Sequence, residues 1–210
     1  MSTKTILLVF AKHPLLGRVK SRLGRSIGME PSLWVYRKLL ERTSEISLRS
    51  KLKTVLFKNI VSPELKATFK HVNECQIQEG ENLGEKMEVA FRWAFNQKYE
   101  NVILIGSDLW TLNEETLIEA KKALEINDFV IGPCYDGGYY LIGMKKMNSK
   151  IFKNIQWSKD QVLKHTLSKV SGNSIYYLEI KNDIDNEESL KAHASLYDLY
   201  QKKISNNFKA

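Results

Sequence analysis

The run Thr5-Ile-Leu-Leu-Val-Phe-Ala11 is apolar without alternation and ends in a loop that contains Pro14 and Gly17. A strand that is apolar on both faces has to be covered on both faces. That is the situation of an interior strand in a largely parallel sheet. Further strand signals fall at residues 54–57, 76–78, 101–106, 129–132, 139–143 and 175–178. Helical patterns are expected between them, over 31–49, 63–69, 83–97, 111–126, 159–170 and 187–203. Pro31 suits a first helical turn. Asn82 with Glu85, and Thr111 with Glu114, have the spacing of helix caps, and Met87, Phe91 and Phe95 fall on one helical face. Asp136-Gly137 between two strand runs is a hairpin signal. Strands alternating with helices predict the α/β class: a three-layer α/β/α sandwich on a mostly parallel mixed sheet with one antiparallel insertion. No linker, repeat or low-complexity stretch interrupts the pattern, so residues 1–210 are expected to form a single domain.

Composition narrows the function classes. The two cysteines, Cys75 and Cys134, form no Cys-x-x-Cys pair, which argues against a disulfide framework and for a reducing, cytoplasmic setting. No apolar run approaches the roughly 20 residues of a membrane span, and the first residues lack the pattern of a signal peptide. His13, His71, His165 and His193 have no metal-ligand spacing, and no Gly-x-Ser-x-Gly elbow is present, so a zinc hydrolase and an esterase are disfavoured. The formal net charge of +8 favours anionic partners. Without a basic helix carrying interleaved aromatics, nucleic acid is not the expected one.

Open α/β sheets bind ligands beyond the carboxyl ends of their strands, so the residues that follow each strand carry the functional reading. Residues 1–29 hold Lys4, Lys12, Arg18, Lys20, Arg22 and Arg25 and no acid. Arginine and lysine around a glycine-containing loop suit phosphate oxygens; a solvated basic loop is the plainer reading. The loop has neither a Walker nor a dinucleotide fingerprint. Asp108, in Gly106-Ser-Asp108, stands at a strand end, as a metal ligand or as a turn residue. Asp136-Gly-Gly-Tyr139 makes a turn, or lets a ligand approach the backbone. Alternation puts Asp183 and Asp185 on one face, where their repulsion calls for a cation or for solvent; a helix cap at Asp185 or Asn186 is the alternative. Trp34 and Tyr36 read as helix residues packed on the sheet.

Together these segments resemble one family. They are Phe10-Ala-Lys-His-Pro-Leu-Leu-Gly-Arg-Val-Lys-Ser-Arg-Leu23, Gln78-Glu-Gly-Glu-Asn-Leu-Gly-Glu-Lys-Met87, Gly106-Ser-Asp108 and Gly132-Pro-Cys-Tyr-Asp-Gly-Gly-Tyr-Tyr-Leu-Ile-Gly143, followed by Trp157-Ser158 and Asp183-Ile-Asp185. The chain resembles a bacterial domain of unknown function within the GT-A (nucleotide-diphospho-sugar transferase) superfamily, some members of which are described as glycosyltransferases of arsenosugar biosynthesis associated with radical-SAM genes. The resemblance implies the GT-A fold, a nucleotide or nucleotide-sugar donor, a small-molecule acceptor, and Mg²⁺ or Mn²⁺. By position, it implies nucleotide contacts at Lys12, Gly17, Arg18, Lys20, Arg22, Leu83, Gly84 and Asp108, and metal ligands at Asp108, Asp183 and Asp185. It also implies an acceptor side at Asp136, Gly137, Gly138 and Tyr139, with Asp136 and Lys20 as the catalytic residues. The family pattern has Thr at Ser21, Pro at Trp110 and often Asp at Asn82. Trp110 is therefore a residue that could fill or reshape the pocket. Glycosyl transfer, nucleotidyl transfer that releases pyrophosphate, and nucleotide binding without catalysis are the three readings these residues leave.

Overall fold

The computed structural model describes residues 4–157 and 160–207. Its core is a seven-stranded sheet of β1 (Thr5–Ala11), β2 (Lys53–Lys58), β3 (Glu74–Ile77), β4 (Asn101–Ile105), β5 (Phe129–Pro133), β6 (Tyr139–Met144) and β7 (Ile175–Tyr177). The spatial order is β3-β2-β1-β4-β6-β5-β7. Only β6 runs antiparallel to its neighbours among the described residues, pairing with β4 and β5. The expected mixed, mostly parallel sheet with one antiparallel insertion is therefore what forms.

Alternate residues of β1 serve two cores. Leu7, Val9 and Ala11 join a cluster with Leu33, Tyr36 and Leu40 of α2 (Met29–Arg49) and Leu117 of α5 (Glu114–Ile126). Ile6, Leu8 and Phe10 join another with Met87 and Phe91 of α4 (Leu83–Asn96) and with Phe152 of the 3₁₀ turn Ser149–Phe152. Helices thus cover both faces, the three-layer arrangement that an all-apolar strand requires. A third cluster lies outside α2: Leu23 of α1 (Ser21–Ile27), Val35 and Leu39 of α2, Leu190 of α7 (Glu187–Lys191), and Leu196 and Tyr200 of α8 (Ala194–Asn207). Among the described residues the two remaining α-helices are α3 (Pro63–Thr68) and α6 (Val162–Ser168).

Four expectations are corrected. The loop of residues 12–24 becomes helical at Ser21. The helix expected from Thr111 starts at Glu114, because Asn113 rather than Thr111 accepts the Thr116 N–H. The closing helix breaks in two at His193, whose ring Nδ1 lies 2.7 Å from the Ser189 carbonyl. The imidazole thereby takes the acceptor that a continuous helix would offer to the His193 N–H, and that N–H turns to Leu190 instead. The helix expected over 159–170 is Val162–Ser168, and Ser158 and Lys159 lie outside the described residues. No described helix is long and apolar enough to cross a membrane.

Helix α4 starts as expected, with Asn82 accepting the Glu85 N–H at 3.1 Å. Gly84 is buried there, and an added Cβ would lie 2.6 Å from the Trp157 ring and 2.7 Å from the Phe152 carbonyl oxygen. Backbone cannot yield as a side-chain tip can. Gly84→Ala is therefore expected to destabilise the chain by about 1–3 kcal/mol, a fall in Tm of roughly 3–10 °C at this length. Gly106→Ala, whose Cβ would meet nothing within 4 Å, is the matched control and should leave Tm nearly unchanged. Equal thermal melts for the two variants would contradict this packing.

Candidate active site at the carboxyl ends of β1 and β4

Strand β1 is parallel to β2 on one side and to β4 on the other, so connections leave it in opposite directions. The resulting crevice is the usual ligand position in an open α/β sheet. A cavity of about 500 Å³ opens there, lined by Lys12, Arg18, Lys20 and Arg22, by Ser107, Asp108 and Asp185, and by an apolar wall that includes Phe10, Leu83, Met87 and Leu104. A second, of about 420 Å³, shares Arg22, Leu83, Asp108, Tyr139 and Asp185 with the first and adds Cys134, Asp136, Gly138, Trp157, Asp160 and Asp183.

Lys20 is the centre of the charge arrangement. Its ammonium lies 2.7 Å from Asp108 Oδ1 and 3.6 Å from Asp185 Oδ1, with the side chain only 5% exposed. Burial alone would lower its pKa, but Asp108, Asp185 and Asp183 more than offset this, and the group is held above its ordinary value. The backbone at Lys20 is left-handed (φ 47°, ψ 42°), and Lys20 occupies the N-cap of α1 with no side-chain cap bond. Non-glycine residues pay roughly 1–2 kcal/mol for that conformation, and a missing cap costs about 1 kcal/mol. Local stability is given up at the residue that bridges two carboxylates. Arg22 adds a second cation, 3.1 Å from Asp185 Oδ2. Lys12 and Arg18 line the same cavity and form no ion pair among the described residues.

Backbone and core contacts hold the acids in place. The Ile184 N–H donates to the Asp108 carbonyl at 3.0 Å, tying the loop after β4 to the Asp183-Ile-Asp185 segment. Ile184 is fully buried in the outer cluster, which leaves the flanking Asp183 and Asp185 to line the second cavity. The Ser189 hydroxyl accepts the Asp185 and Asn186 N–H groups at 2.9 and 3.0 Å. Beyond β5, Lys181 donates its N–H to the Pro133 carbonyl and accepts from the Tyr135 N–H. That pairing brings Asp183 to Cys134 and Asp136, whose ligand atoms all lie within 4.8 Å of one another. Asp136 is set by the Gly138 N–H at 2.8 Å.

The residues expected to bind metal are therefore divided. Asp108 and Asp185 gather about Lys20, whereas Asp183 joins Cys134 and Asp136. Burial first, then Asp136 and Asp185, push the Asp183 carboxyl up to about 6, with Lys20 opposing. Burial likewise pushes the Cys134 thiol up, and the other two donors of this group are carboxylate oxygens. Hard oxygen donors in excess of local cations fit Mg²⁺ or Mn²⁺.

Other expected site residues fall differently. Leu83 lines both cavities, but Gly84 supports α4 beneath Trp157. Gly17 makes a turn (φ 70°) and lines neither cavity. Gly137 turns the chain at φ 84°, and an added Cβ would overlap the Asp160 carbonyl rather than face the cavity. Gly138 and Tyr139 do line the second cavity. Trp110 does not fill the pocket: its indole N–H donates to Ser195 Oγ at 2.8 Å, and it packs with the outer cluster. Tyr36, expected only to pack, reaches the first cavity. Its hydroxyl accepts the Lys12 N–H at 2.9 Å, donates to the Lys12 carbonyl at 3.2 Å and lies 3.3 Å from Ser107 Oγ. It thus joins the loop after β1 to the loop after β4.

Comparison with known proteins places this arrangement. No protein of curated function matches the sequence. A candidate nucleotide-diphospho-sugar transferase from Desulfovibrio desulfuricans G20 superposes with a TM-score of 0.81 at 27% identity, over 94% of this chain and 98% of that one. CMP:2-keto-3-deoxy-manno-octonic acid synthetase complexed with CTP gives 0.58 at 8% identity, over 94% and 99%. Rv0371C of Mycobacterium tuberculosis H37Rv, in complex with manganese, gives 0.57 at 10% identity, over 90% and 97%. The last two show the shared fold alone, and with the first they establish the GT-A-like architecture. A family model described as "Uncharacterized protein conserved in bacteria (DUF2064)" matches residues 47–159. That match covers more than half of the sequence, and the chain belongs to the DUF2064 family.

Proposed function

We propose that this protein is a divalent-metal-dependent transferase that uses an activated nucleotide, most simply a glycosyltransferase with a nucleotide-sugar donor, and that residues 1–210 act as one domain. The observation that carries the reading is the convergence of four basic side chains and two carboxylates on a single cavity at the carboxyl ends of β1 and β4. The Desulfovibrio relative, described as a candidate nucleotide-diphospho-sugar transferase, supports it. Lys12 and Arg18 face the donor phosphates with charge-assisted hydrogen bonds. Leu83, Met87 and Phe10 form the apolar wall against the base and ribose. Asp108 with Asp183 or Asp185 would hold a divalent cation, which would supply charge neutralisation on the phosphate oxygens.

In the transfer, an acceptor hydroxyl attacks the anomeric carbon. The bond from that carbon to the phosphate oxygen breaks, and a nucleoside diphosphate leaves. Asp136, fixed by the Gly138 N–H, takes the hydroxyl proton. Lys20 and Arg22 stabilise the charge left on the diphosphate. Four cations are more than a diphosphate needs, and one neighbour was solved with CTP. Nucleotidyl transfer is therefore the second reading: an acceptor phosphate attacks the α-phosphorus and pyrophosphate leaves. A panel of nucleoside triphosphates and nucleotide sugars, assayed with sugar and phosphate acceptors for released diphosphate or pyrophosphate, separates the two. Arg18→Ala is expected to weaken nucleotide binding roughly 10- to 100-fold, the loss of a charged hydrogen bond. A folded protein that binds no member of the panel, or an Arg18→Ala variant with unchanged affinity, would overturn the reading.

The Asp183 carboxyl adds a pH dependence. Its pKa in the folded chain, about 6, lies above the ordinary carboxylate value of 3.8. The folded state therefore holds this proton more tightly than the unfolded chain does. The stabilisation is fully present below pH ~4 and is lost as pH rises through about 6. Asp183→Asn should thus raise the Tm of the metal-free protein at pH 7.5 by roughly 2–6 °C, allowing for solvent screening. At pH 4.5 the gain should be only about a third as large. A Tm gain of equal size at both pH values would show that ionisation at this position is not the source of strain.

A further inference from the structure

The Lys20 ammonium bridges Asp108 and Asp185, two carboxylates that line the first cavity. It is almost fully enclosed, and no ordinary helix start needs it. An N-cap side chain normally accepts a backbone N–H, whereas Lys20 caps nothing and holds a left-handed backbone that glycine or asparagine would adopt more readily. Arg22, the more exposed of the two cations, adds a second contact to Asp185 alone. The chain's own cation thus sits between the acids that would otherwise hold a metal.

We propose that Lys20 is a built-in counter-ion that closes the Asp108–Asp185 cation position until a nucleotide draws its ammonium away. The role rests on the nucleotide reading only for what displaces it. An ammonium and a divalent cation cannot both lie between the same two carboxylate oxygens, because their mutual repulsion adds to the loss of contacts. Phosphate oxygens arriving beside Lys12 and Arg18 offer Lys20 an alternative anionic partner within the same cavity. As Nζ moves to them, Asp108 loses its cation and Asp185 keeps only Arg22, so the pair is left with excess negative charge and takes the divalent cation. The cation therefore enters with the nucleotide rather than before it. Lys20 becomes a positioning residue that couples the two binding events, and the coupling must be reciprocal.

The test uses Mn²⁺ alone, with no nucleotide, and reads free Mn²⁺ by its electron paramagnetic resonance signal. Wild type is expected to bind Mn²⁺ weakly at this position. Lys20→Gln, which keeps a polar side chain one atom shorter and removes the charge, should bind it at least roughly fivefold more tightly, since one positive charge within about 4 Å has been removed. The gain should vanish in Lys20→Gln/Asp108→Asn. Lys20→Arg, which restores the charge, should bind like wild type. Lys20→Gly also removes the charge while favouring the left-handed backbone, and it serves if Lys20→Gln folds poorly. Mn²⁺ affinity that is unchanged or weaker in Lys20→Gln and Lys20→Gly, or a gain that survives Asp108→Asn, would overturn the proposal. Because this arm contains no nucleotide, a failed nucleotide panel leaves its outcome readable. Conversely, a failed Mn²⁺ arm leaves nucleotide transfer by the same cavity intact.

Discussion

Four carboxylates, Asp108, Asp136, Asp183 and Asp185, converge at the ends of the strands, and their mutual repulsion is the constraint around which the site is arranged. The fold collects them from three segments distant in the sequence and supplies two cations against them, Lys20 and Arg22. The balance is incomplete, and the remainder shows at Asp183, the acid that burial and its neighbours push up most clearly. A site with residual negative charge and hard oxygen donors is prepared for a cation. Lys12 and Arg18, on the other side of the same cavity, have no acidic partner among the described residues and are prepared for an anion. A metal-bound phosphate meets both requirements at once.

The scaffold imposes this arrangement through few contacts. The switch in connection direction at β1 opens the crevice. Tyr36 ties the loop after β1 to the loop after β4 through one hydroxyl. The Ile184 N–H ties the loop after β4 to the last acidic segment, and the buried Ile184 side chain anchors it in the outer cluster of α1, α7 and α8. The outer helices thus position Asp183 and Asp185 although they stand a layer away from the sheet. Strain is concentrated where this function would need it: the left-handed backbone at Lys20 is paid for by the well-packed cores on either side.

What could be read from the sequence follows the range of the interactions involved. Strand β1, the mixed sheet and the cavity's basic loop were legible because an all-apolar run and an acid-free basic stretch are local signals. Helix α1 was not, since it is seven residues long, contains Gly24 and lacks a side-chain cap. The start of α5 was placed at Thr111, because two possible caps lie close together and only tertiary structure chooses Asn113. Helical periodicity put Tyr36 on the buried face but says nothing about where its hydroxyl ends. The grouping of Asp183 with Cys134 and Asp136 depends on pairing between segments more than 40 residues apart, which no spacing rule anticipates. The sequence suggests a plug at Trp110, two residues after Asp108, where the family pattern has proline. Its indole turns instead to Ser195, on a helix that the sequence pattern did not separate from the preceding one.

Nucleotide phosphates and a divalent cation are proposed to meet at Asp108, between the carboxyl ends of β1 and β4. Phosphorus NMR of a bound nucleotide, titrated with Mn²⁺, tests it most directly, because a paramagnetic ion broadens only the phosphorus nuclei close to it. The account predicts that the phosphate resonances broaden on wild-type protein, and that the protein-dependent part of that broadening is lost in Asp108→Asn. Protein-dependent broadening that is undiminished in Asp108→Asn would place the metal elsewhere and contradict the account.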